Sequence, residues 1–197
     1  MKHLDLGCGS NPRNPYHADE LFGVDIHPGV TELGGNFRQA NLAVENLPYE
    51  SNYFDSISAF DVLEHIPRQA IDFHSGQVKL PFINLMNEIW RVLKPNGKFY
   101  AFTPAYPSTQ AFQDPTHVNF ISEGTHNYFC GEDAYAKRYG FLGEFQLLES
   151  DWMYSTYAET ASRGWKIKVK NWHKQNFKPG RTHLVWQFSA KKSVDLS

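Results

Sequence analysis

The chain has 197 residues and a formal net charge of −2, with 41% hydrophobic and 15% aromatic residues. This length and apolar content predict one globular domain, residues 1–197, and exclude a disordered chain. The near-neutral charge and the absence of a long apolar run disfavour nucleic-acid and membrane partners. The polar N-terminus is unlike a signal peptide, and Cys8 and Cys130 form no disulfide framework. We therefore expect a cytoplasmic protein, whose oligomeric state the sequence does not indicate.

Strand-like and helix-like segments alternate along the first half of the chain. Apolar residues at helical spacing predict a helix over 82–93, which "KPNG" at 94–97 ends, and a strand follows at 98–103. Such alternation is typical of a parallel sheet covered by helices, with the carboxyl ends of the strands at one ligand-binding edge. Four earlier strands are predicted at residues 3–7, 21–26, 37–42 and 53–60.

The pattern changes after residue 103. Residues 104–131 are rich in aromatic, histidine and turn residues, which predicts a long substrate loop. A short helix is predicted over 131–140, and residues 143–155 and 182–192 are predicted to pair as antiparallel strands. We expect the intervening segment, 158–181, to pass over the active-site edge as a second substrate loop or lid.

Two glycines follow the first predicted strand, in "HLDLGCGSNP". Gly7 and Gly9 lack a Cβ, so the backbone there can approach a ligand closely. The third glycine of the dinucleotide pattern is missing and Pro12 is present, which disfavours a nicotinamide-linked oxidoreductase. Asp25 lies near the end of the second predicted strand, where a carboxylate can accept hydrogen bonds from both hydroxyls of a ribose.

Four ordered segments carry a family resemblance: "LDLGCGSNP", "GVDI", "ANLAVENLPYESNYFDSISAFDVLEHI" and "RVLKPNGKFYAFTP". Together, across residues 3–104, they resemble the class I S-adenosylmethionine-dependent methyltransferases. The resemblance implies an α/β fold, with a doubly wound, mostly parallel Rossmann-like sheet and an antiparallel C-terminal strand pair. Two departures are visible, since the usual helix before the first strand is absent and the helix after it is very short or missing.

The resemblance also implies where the cofactor, S-adenosyl-L-methionine, would bind. Asp5, Gly7 and Gly9 would form the turn around its methionine part. Asp25 would bind the ribose hydroxyls, and Ile26 would pack on the adenine ring. An alternative for Asp5 is that its side chain only caps a turn.

Further cofactor positions follow the third and fourth predicted strands. Asn41 occupies the place of the family's usual Asp, and its amide oxygen can still accept from the adenine amino group. Leu42 would offer its backbone N–H to the ring, and Asp61 and Val62 would line the methionine end. Cys8 is interpreted as a small buried residue rather than a nucleophile.

Candidate catalytic residues lie in the predicted loop after residue 103. His117 is predicted to be the general base, with Asp114 holding its ring, and His126 is a second candidate. A structural role for His117, bonded to a loop carbonyl, stays open. Asp114, His117, His126 and Cys130 match no standard zinc spacing, so no metal site is predicted.

Two adjacent residues, Glu64 and His65, open a predicted helix, and structural and functional roles stay equally open for them. The function predicted is O-methylation of a small-molecule or saccharide-type acceptor. The alternatives are N-methylation and a non-catalytic cofactor-binding regulatory module. Several aromatic residues could either wall an acceptor pocket or pack in the core: Tyr106, Phe112, Phe120, Tyr128, Phe129, Trp152 and Tyr154.

Overall fold

The structure is a computed structural model that describes residues 1–28, 31–153 and 182–193. Two α-helices are found there, α1 (Pro81–Val92) and α2 (Gln110–Gln113). Short 3-10 helices lie at Thr31–Asn36, Leu63–His65, Glu123–Tyr128 and Tyr135–Tyr139. The strands are β1 (Lys2–Leu6), β2 (Glu20–Asp25), β3 (Phe37–Gln39), β4 (Phe54–Phe60), β5 (Ala70–Ile71), β6 (Val78–Lys79), β7 (Leu93–Pro104), β8 (Phe145–Met153) and β9 (His183–Ala190).

Seven of these strands form one mixed sheet, in the order β3-β2-β1-β4-β7-β9-β8. The first five pair in parallel, whereas β9 runs antiparallel to both β7 and β8. The predicted fold is therefore confirmed, including the antiparallel C-terminal strand pair. Because β1 and β4 are adjacent at the centre, their carboxyl ends flank one cleft.

Helix α1 covers one face of the sheet. Its buried residues recur at helical spacing and include Phe82, Leu85 and Ile89, and Pro81 occupies its first turn, where no donor is lost. The helix ends at Val92, one residue before the predicted end, because β7 begins at once. β7 is accordingly longer than the predicted strand 98–103 and includes "KPNG".

Residues 7–19 contain no helix, as the sequence predicts. The side chain of Asn14 supports this irregular stretch by accepting from the N–H of Ala18 and donating to its carbonyl, both at 2.9 Å. β3 ends at Gln39, short of the predicted residue 42, because the side chain of Asn41 starts a turn by accepting from the N–H of Ala43.

Residues 104–131 are mostly irregular, as predicted, although they include α2 and a 3-10 helix. The predicted helix over 131–140 is only a 3-10 turn, which ends at Gly140 in a left-handed conformation. The predicted excursion at 158–181 lies outside the described residues. Within the described ranges, no helix has the length and apolar character needed to cross a bilayer.

Candidate functional site

The turn after β1 is left-handed at both glycines, with φ 61° at Gly7 and φ 54° at Gly9. The two positions face different surroundings. A Cβ on Gly7 would lie 2.4 Å from Cγ2 of Val62, whereas a Cβ on Gly9 would meet nothing within 4 Å. Gly7 is thus required by packing against the end of β4, and only Gly9 exposes backbone to open space.

Asp25 ends β2 beside this turn. Its Oδ2 accepts from the N–H of Gly9 and its Oδ1 from the N–H of His27, both at 2.9 Å. Each oxygen keeps a further lone pair, so the carboxylate can still accept from two ligand hydroxyls. The next residue, Ile26, is 51% exposed and offers an apolar surface at the same edge.

Asp5 lies behind the turn and is fully buried. It accepts from Oγ of Ser58 at 2.6 Å and from the N–H of Arg13 at 2.8 Å. Burial is the main cause that raises its pKa to about 7. The side chain therefore anchors the loop that follows Gly9 without facing the cleft, which matches the turn-capping alternative for this residue.

His3 extends this buried network along β1. Its Nδ1 lies 2.7 Å from Oγ of Ser56, and its Nε2 lies 2.8 Å from Oγ of Ser58. Burial lowers the pKa of His3 to about 3, so the ring is neutral. Because Ser58 donates to Asp5, Nε2 of His3 donates to Ser58 and Nδ1 accepts from Ser56. Two titratable groups thus share one hydroxyl beneath the glycine turn.

The remaining predicted cofactor positions also lie at the carboxyl edge of the sheet. Asn41 and Leu42 follow β3, and Leu42 is buried. Asp61 follows β4 with φ 55°, a rare conformation for a non-glycine residue. Its N–H donates to the carbonyl of Phe102 at 2.8 Å, which leaves its carboxylate at the rim of the cleft.

His183 is a candidate functional residue that the sequence analysis missed. Its Nε2 lies 3.2 Å from Oδ1 of Asp61, and its ring stacks on Phe102 at 4.3 Å between centroids. His183 is the first residue of β9, which is antiparallel to β7, so it lies at the carboxyl edge of the parallel strands. The predicted antiparallel strand at 182–192 was the signal that could have placed it there.

His117 approaches the cleft from the loop after β7. Its Nδ1 lies 3.2 Å from the carbonyl oxygen of Ala111, and its Nε2 lies 4.0 Å from Oε1 of Glu64. The prediction that Asp114 holds this ring is wrong. The Asp114 carboxylate instead accepts from the N–H and hydroxyl of Thr116, at 2.8 and 2.6 Å, while Nδ1 of His117 contacts the carbonyl of Ala111.

Glu64 is the most buried member of this group, with its side chain 2% exposed. Its Oε2 accepts from Oγ1 of Thr103 at 2.8 Å, and burial is the main cause that raises its pKa to about 8. The ring of His65 lies 4.8 Å from that of His117, and its Nδ1 lies 3.0 Å from Oγ1 of Thr116. Glu64, His65 and His117, called the Glu-His cluster below, therefore form one polar group.

A cavity of about 700 Å³ is lined by Phe82, Tyr128, Phe129 and Arg68, among others, and no member of the Glu-His cluster is among its lining residues. Nε of Arg68 donates to Oδ1 of Asn119 at 2.7 Å, and the N–H of Asn119 donates in turn to the carbonyl of Glu64, at 2.9 Å. The cavity wall and the cluster are thus joined by consecutive hydrogen bonds.

The predicted aromatic residues divide between surface and core. Phe129 is 1% exposed, whereas Phe112 and Phe120 stack on each other at 4.8 Å on the surface. Tyr154 lies outside the described residues. His126, the second candidate base, is bonded through Nδ1 to the carbonyl of Glu123 and is not a member of the Glu-His cluster.

A family model described as a methyltransferase domain matches residues 4–101, which include the glycine turn, Asp25 and Glu64. The chain belongs to the S-adenosylmethionine-dependent methyltransferase family. Among its relatives, a sterol 4-C-methyltransferase of Caenorhabditis elegans is 33% identical over 113 residues, covering 50% of this chain and 30% of that protein. A demethylmenaquinone methyltransferase of Staphylococcus saprophyticus is 26% identical over 125 residues, covering 57% and 48%.

The chain spans less than half of the length of either relative. Over the whole fold, it is similar to a solved S-adenosylmethionine-dependent methyltransferase from Archaeoglobus fulgidus. The TM-score is 0.53 at 13% identity, covering 96% of this chain and 86% of that one, a likeness that shows the fold alone. S-adenosylmethionine is the cofactor that family membership implies.

Proposed function

We propose that this protein transfers a methyl group from S-adenosylmethionine to a hydroxyl of a small-molecule or saccharide-type acceptor. The observation that carries the proposal is the open left-handed turn at Gly9, bonded directly to the carboxylate of Asp25. A ligand with a ribose fits there, because it needs two acceptors for its hydroxyls and a backbone without a Cβ nearby. The cofactor supplies the reactive methyl, and the protein orients it.

The cofactor would extend along the carboxyl edge of the sheet. Asp25 would bind the ribose, and the exposed side chain of Ile26 would cover the adenine. Asn41 and the backbone of Leu42 would border the adenine, while Asp61 would face the methionine amino group. Glu64 and His65 follow Asp61 and Val62 in the chain, so an acceptor held by the Glu-His cluster would lie near the methionine end of the cofactor.

A small-molecule acceptor is supported by the cavity whose lining residue Arg68 is linked through Asn119 to the Glu-His cluster. Its volume of about 700 Å³ is within the usual range for ligand pockets, and its walls combine aromatic faces with one cationic side chain. Both curated relatives are named for methylation of small molecules, a sterol and a demethylmenaquinone. Aromatic faces also suit the apolar faces of a sugar ring.

Removal of the acceptor proton falls to His117. Carbonyl oxygens only accept, so the contact with Ala111 places the proton on Nδ1 and leaves the Nε2 lone pair free. That lone pair lies on the side of Glu64, within the cluster. Asp114 supports the cluster indirectly, through Thr116 and His65, rather than by holding His117.

Calorimetry tests the cofactor assignment directly. We expect S-adenosylmethionine and S-adenosylhomocysteine to bind, and NAD not to bind comparably. Asp25→Ala removes both acceptors for the ribose and should weaken binding at least roughly tenfold, equivalent to about 1.4 kcal/mol. Asp19→Ala is the matched control, since Asp19 is exposed and pairs with the N-terminal amine. Tighter binding of NAD, or equal affinity of a folded Asp25→Ala variant, would contradict the proposal.

A second experiment tests His117. Release of S-adenosylhomocysteine is measured against a panel of hydroxyl and amine acceptors, in the wild type and in His117→Gln. Turnover should fall roughly 10²–10⁴-fold in the variant, the usual range for a lost acid–base group, with cofactor affinity nearly unchanged. His126→Gln, in the same loop, should be unaffected. If the variant both loses cofactor binding and has a lower melting temperature, His117 is structural. Turnover with amine acceptors only would favour N-methylation.

No turnover with any acceptor, despite tight cofactor binding, would favour the non-catalytic regulatory module. The same preparation distinguishes this outcome from failure of the cofactor assignment, because calorimetry and turnover are measured on one sample. A regulatory module would also leave the affinity for S-adenosylmethionine and S-adenosylhomocysteine unchanged in His117→Gln.

A further inference from the structure

Among the described residues, one group of carboxylate and imidazole side chains comes close enough together to hold a metal ion. One ligand atom each from Glu64, His65 and His117 lies within 4.8 Å of the others. Two histidines and one glutamate are a ligand set of catalytic zinc sites, in which a fourth position stays open. We propose that the Glu-His cluster binds one divalent transition-metal ion, with zinc the best match to its donors.

The hydrogen bond of His117 prepares it as a ligand. Its Nδ1 contacts the carbonyl oxygen of Ala111 at 3.2 Å, so the proton lies on Nδ1. The Nε2 lone pair is then available, and it lies 4.0 Å from Oε1 of Glu64. A histidine whose second nitrogen donates to a backbone carbonyl is the usual arrangement around a bound metal.

His65 is prepared in a similar way, through a hydroxyl. The hydroxyl of Thr116 donates its proton to the carboxylate of Asp114 at 2.6 Å. Its oxygen can therefore only accept from Nδ1 of His65, 3.0 Å away, and this leaves the Nε2 lone pair of His65 free. Asp114, Thr116 and His65 thus form a carboxylate-linked chain of the kind that orients metal-binding histidines.

The third ligand, Glu64, is held by hydrogen bonds to its carboxylate and to its backbone carbonyl. Its Oε2 accepts from Oγ1 of Thr103 at 2.8 Å, which fixes the carboxylate and leaves Oε1 toward His117. The Glu64 carbonyl accepts from two consecutive N–H groups of the loop, those of Val118 and Asn119, at 2.8 and 2.9 Å. These bonds tie the turn that carries Glu64 to the loop that carries His117.

The separations are those of an open site that closes on its ion. Tetrahedral zinc with bonds of about 2.1 Å needs ligand atoms roughly 3.4 Å apart. The 4.0 Å between Nε2 of His117 and Oε1 of Glu64 therefore has to shorten by only about 0.6 Å, and the ligand atom of His65, within 4.8 Å of the other two, by at most about 1.4 Å.

Sequence spacing alone does not reveal this site, because Glu64 and His65 are adjacent while His117 comes from a distant loop. The set considered from the sequence combined His117 with Asp114, His126 and Cys130. Of those, Asp114 takes part only through Thr116, and His126 is bonded elsewhere. The metal-binding set is therefore a product of the fold.

Metal binding and proton removal by His117 use the same Nε2 lone pair. In the metal-free protein that lone pair can accept a proton, and in the metal-bound protein it is a ligand. The fourth position of the ion is then open to water or to an oxygen of the acceptor, whose acidity the ion increases. The binding proposal itself rests on the geometry of the three side chains and does not require methyl transfer.

The test is metal binding by the full chain without cofactor or acceptor. ZnCl₂ is titrated by calorimetry against a competing chelator, and Co²⁺ is followed by its visible absorption, which is intense for tetrahedral sites. We expect one ion per chain. Glu64→Gln, His65→Asn and His117→Asn should each weaken zinc binding at least roughly tenfold, and Thr116→Val roughly 10–100-fold, since it removes the outer partner of His65.

His126→Asn is the matched control and should bind zinc as the wild type does. Melting temperatures show whether each variant is folded. If Glu64→Gln does not fold, His65→Asn still tests the site, because His65 is partly exposed. No zinc binding by the wild type, or equal binding by folded His65→Asn and His117→Asn, would overturn the proposal. Either result leaves the cofactor assignment intact, because calorimetry with S-adenosylmethionine tests that assignment separately.

Discussion

The two sides of the cleft are built in different ways. On the side proposed for the cofactor, called the cofactor side, the ends of two adjacent parallel strands bond directly: the N–H of Gly9 donates to the carboxylate of Asp25 and the N–H of Gly7 to the carbonyl of Val24. On the side proposed for the acceptor, called the acceptor side, Glu64 and His117 come from separate segments, and the carbonyl of Glu64 accepts from two N–H groups of the loop that carries His117. One side is thus built from strand ends, and the other from contacts between loops.

This difference determines how each side responds to substitution. Strand ends are held in place by the sheet. A substitution on the cofactor side should therefore change either the stability of the fold or the affinity for the cofactor, and the contacts of the substituted residue should account for the change. Loops depend on a few side-chain and backbone hydrogen bonds, so changes there should alter geometry with less effect on global stability. Three predictions test the strand-built side of this comparison, starting with the largest expected effect.

Gly7→Val should unfold or severely destabilise the protein. Its Cβ would lie 2.4 Å from Cγ2 of Val62, and a β-branched residue is strained at φ 61°. Overpacking and backbone strain together should cost about 3 kcal/mol or more in the free energy of unfolding, measured by urea titration. Cofactor binding would then be lost because the fold is lost, and not because a side chain fills the ligand site.

Gly9→Ala is the matched control for that substitution. It has the same left-handed backbone but open space around its Cβ, so only conformational strain of about 1–2 kcal/mol is expected. The variant should fold and should lose affinity for S-adenosylmethionine. If Gly7→Val folds as well as Gly9→Ala, the packing of Val62 does not explain the first glycine.

The pH dependence of stability tests the network beneath the turn. The pKa of Asp5 is 3.8 when unfolded and about 7 when folded, so its contribution is lost as pH rises between those values. The pKa of His3 is 6.5 when unfolded and about 3 when folded, so its contribution is lost as pH falls between them. Because the two slopes oppose each other, wild-type stability should change little between about pH 4 and pH 6.5.

Single substitutions should uncover each slope. In Asp5→Asn the His3 contribution remains, and stability should rise with pH by up to about 1.4 kcal/mol per pH unit. In His3→Gln the Asp5 contribution remains, and stability should fall with pH over the same interval. Urea unfolding at several pH values measures both slopes. Slopes of the same sign in the two variants would show that the buried groups do not titrate as this network requires.

Much of the cofactor side could be predicted from sequence because its signals are local. A glycine turn follows an apolar strand, and an Asp lies at the end of the next strand, so both residues could be located from nearby sequence. The alternation of strands and helices predicted the mostly parallel sheet, although not the order of its strands. The role of Asp5 was less accessible, because its partner Ser58 lies on a neighbouring strand. Its burial, which raises its pKa, depends on the packing of neighbouring strands rather than on nearby sequence, and the hydrogen bond from Ser58 only moderates that rise.

The acceptor side could not be predicted to the same extent. Asp114 lies three residues before His117, and that spacing suggested a contact, but the carboxylate of Asp114 is bonded to Thr116 instead. The actual neighbours of His117 include Glu64, from the 3-10 helix after β4, and no local pattern connects them. His183 was missed for a related reason, since only the antiparallel pairing of β9 with β7 brings it to Asp61.

The smallest expected effect concerns Asp61, where the two sides meet. Asn tolerates the left-handed conformation that Asp61 adopts, and the Asp61 side chain is 47% exposed, so its contact with His183 should contribute at most about 1 kcal/mol. Asp61→Asn should therefore leave the melting temperature nearly unchanged. Asp61→Ala keeps no side chain suited to the left-handed turn and should be less stable than Asp61→Asn by about 1 kcal/mol.

Cofactor affinity in the same two variants locates the methionine end. If the carboxylate of Asp61 faces the methionine amino group, Asp61→Asn and Asp61→Ala should lose affinity for S-adenosylmethionine by similar factors, despite their different stabilities. Adenosine lacks the amino acid part and should bind both variants as it binds the wild type, as measured by calorimetry. If the variants lose affinity for adenosine equally, Asp61 acts by shaping the edge of the sheet. A direct contact with the methionine part cannot affect the binding of adenosine, which has no methionine part.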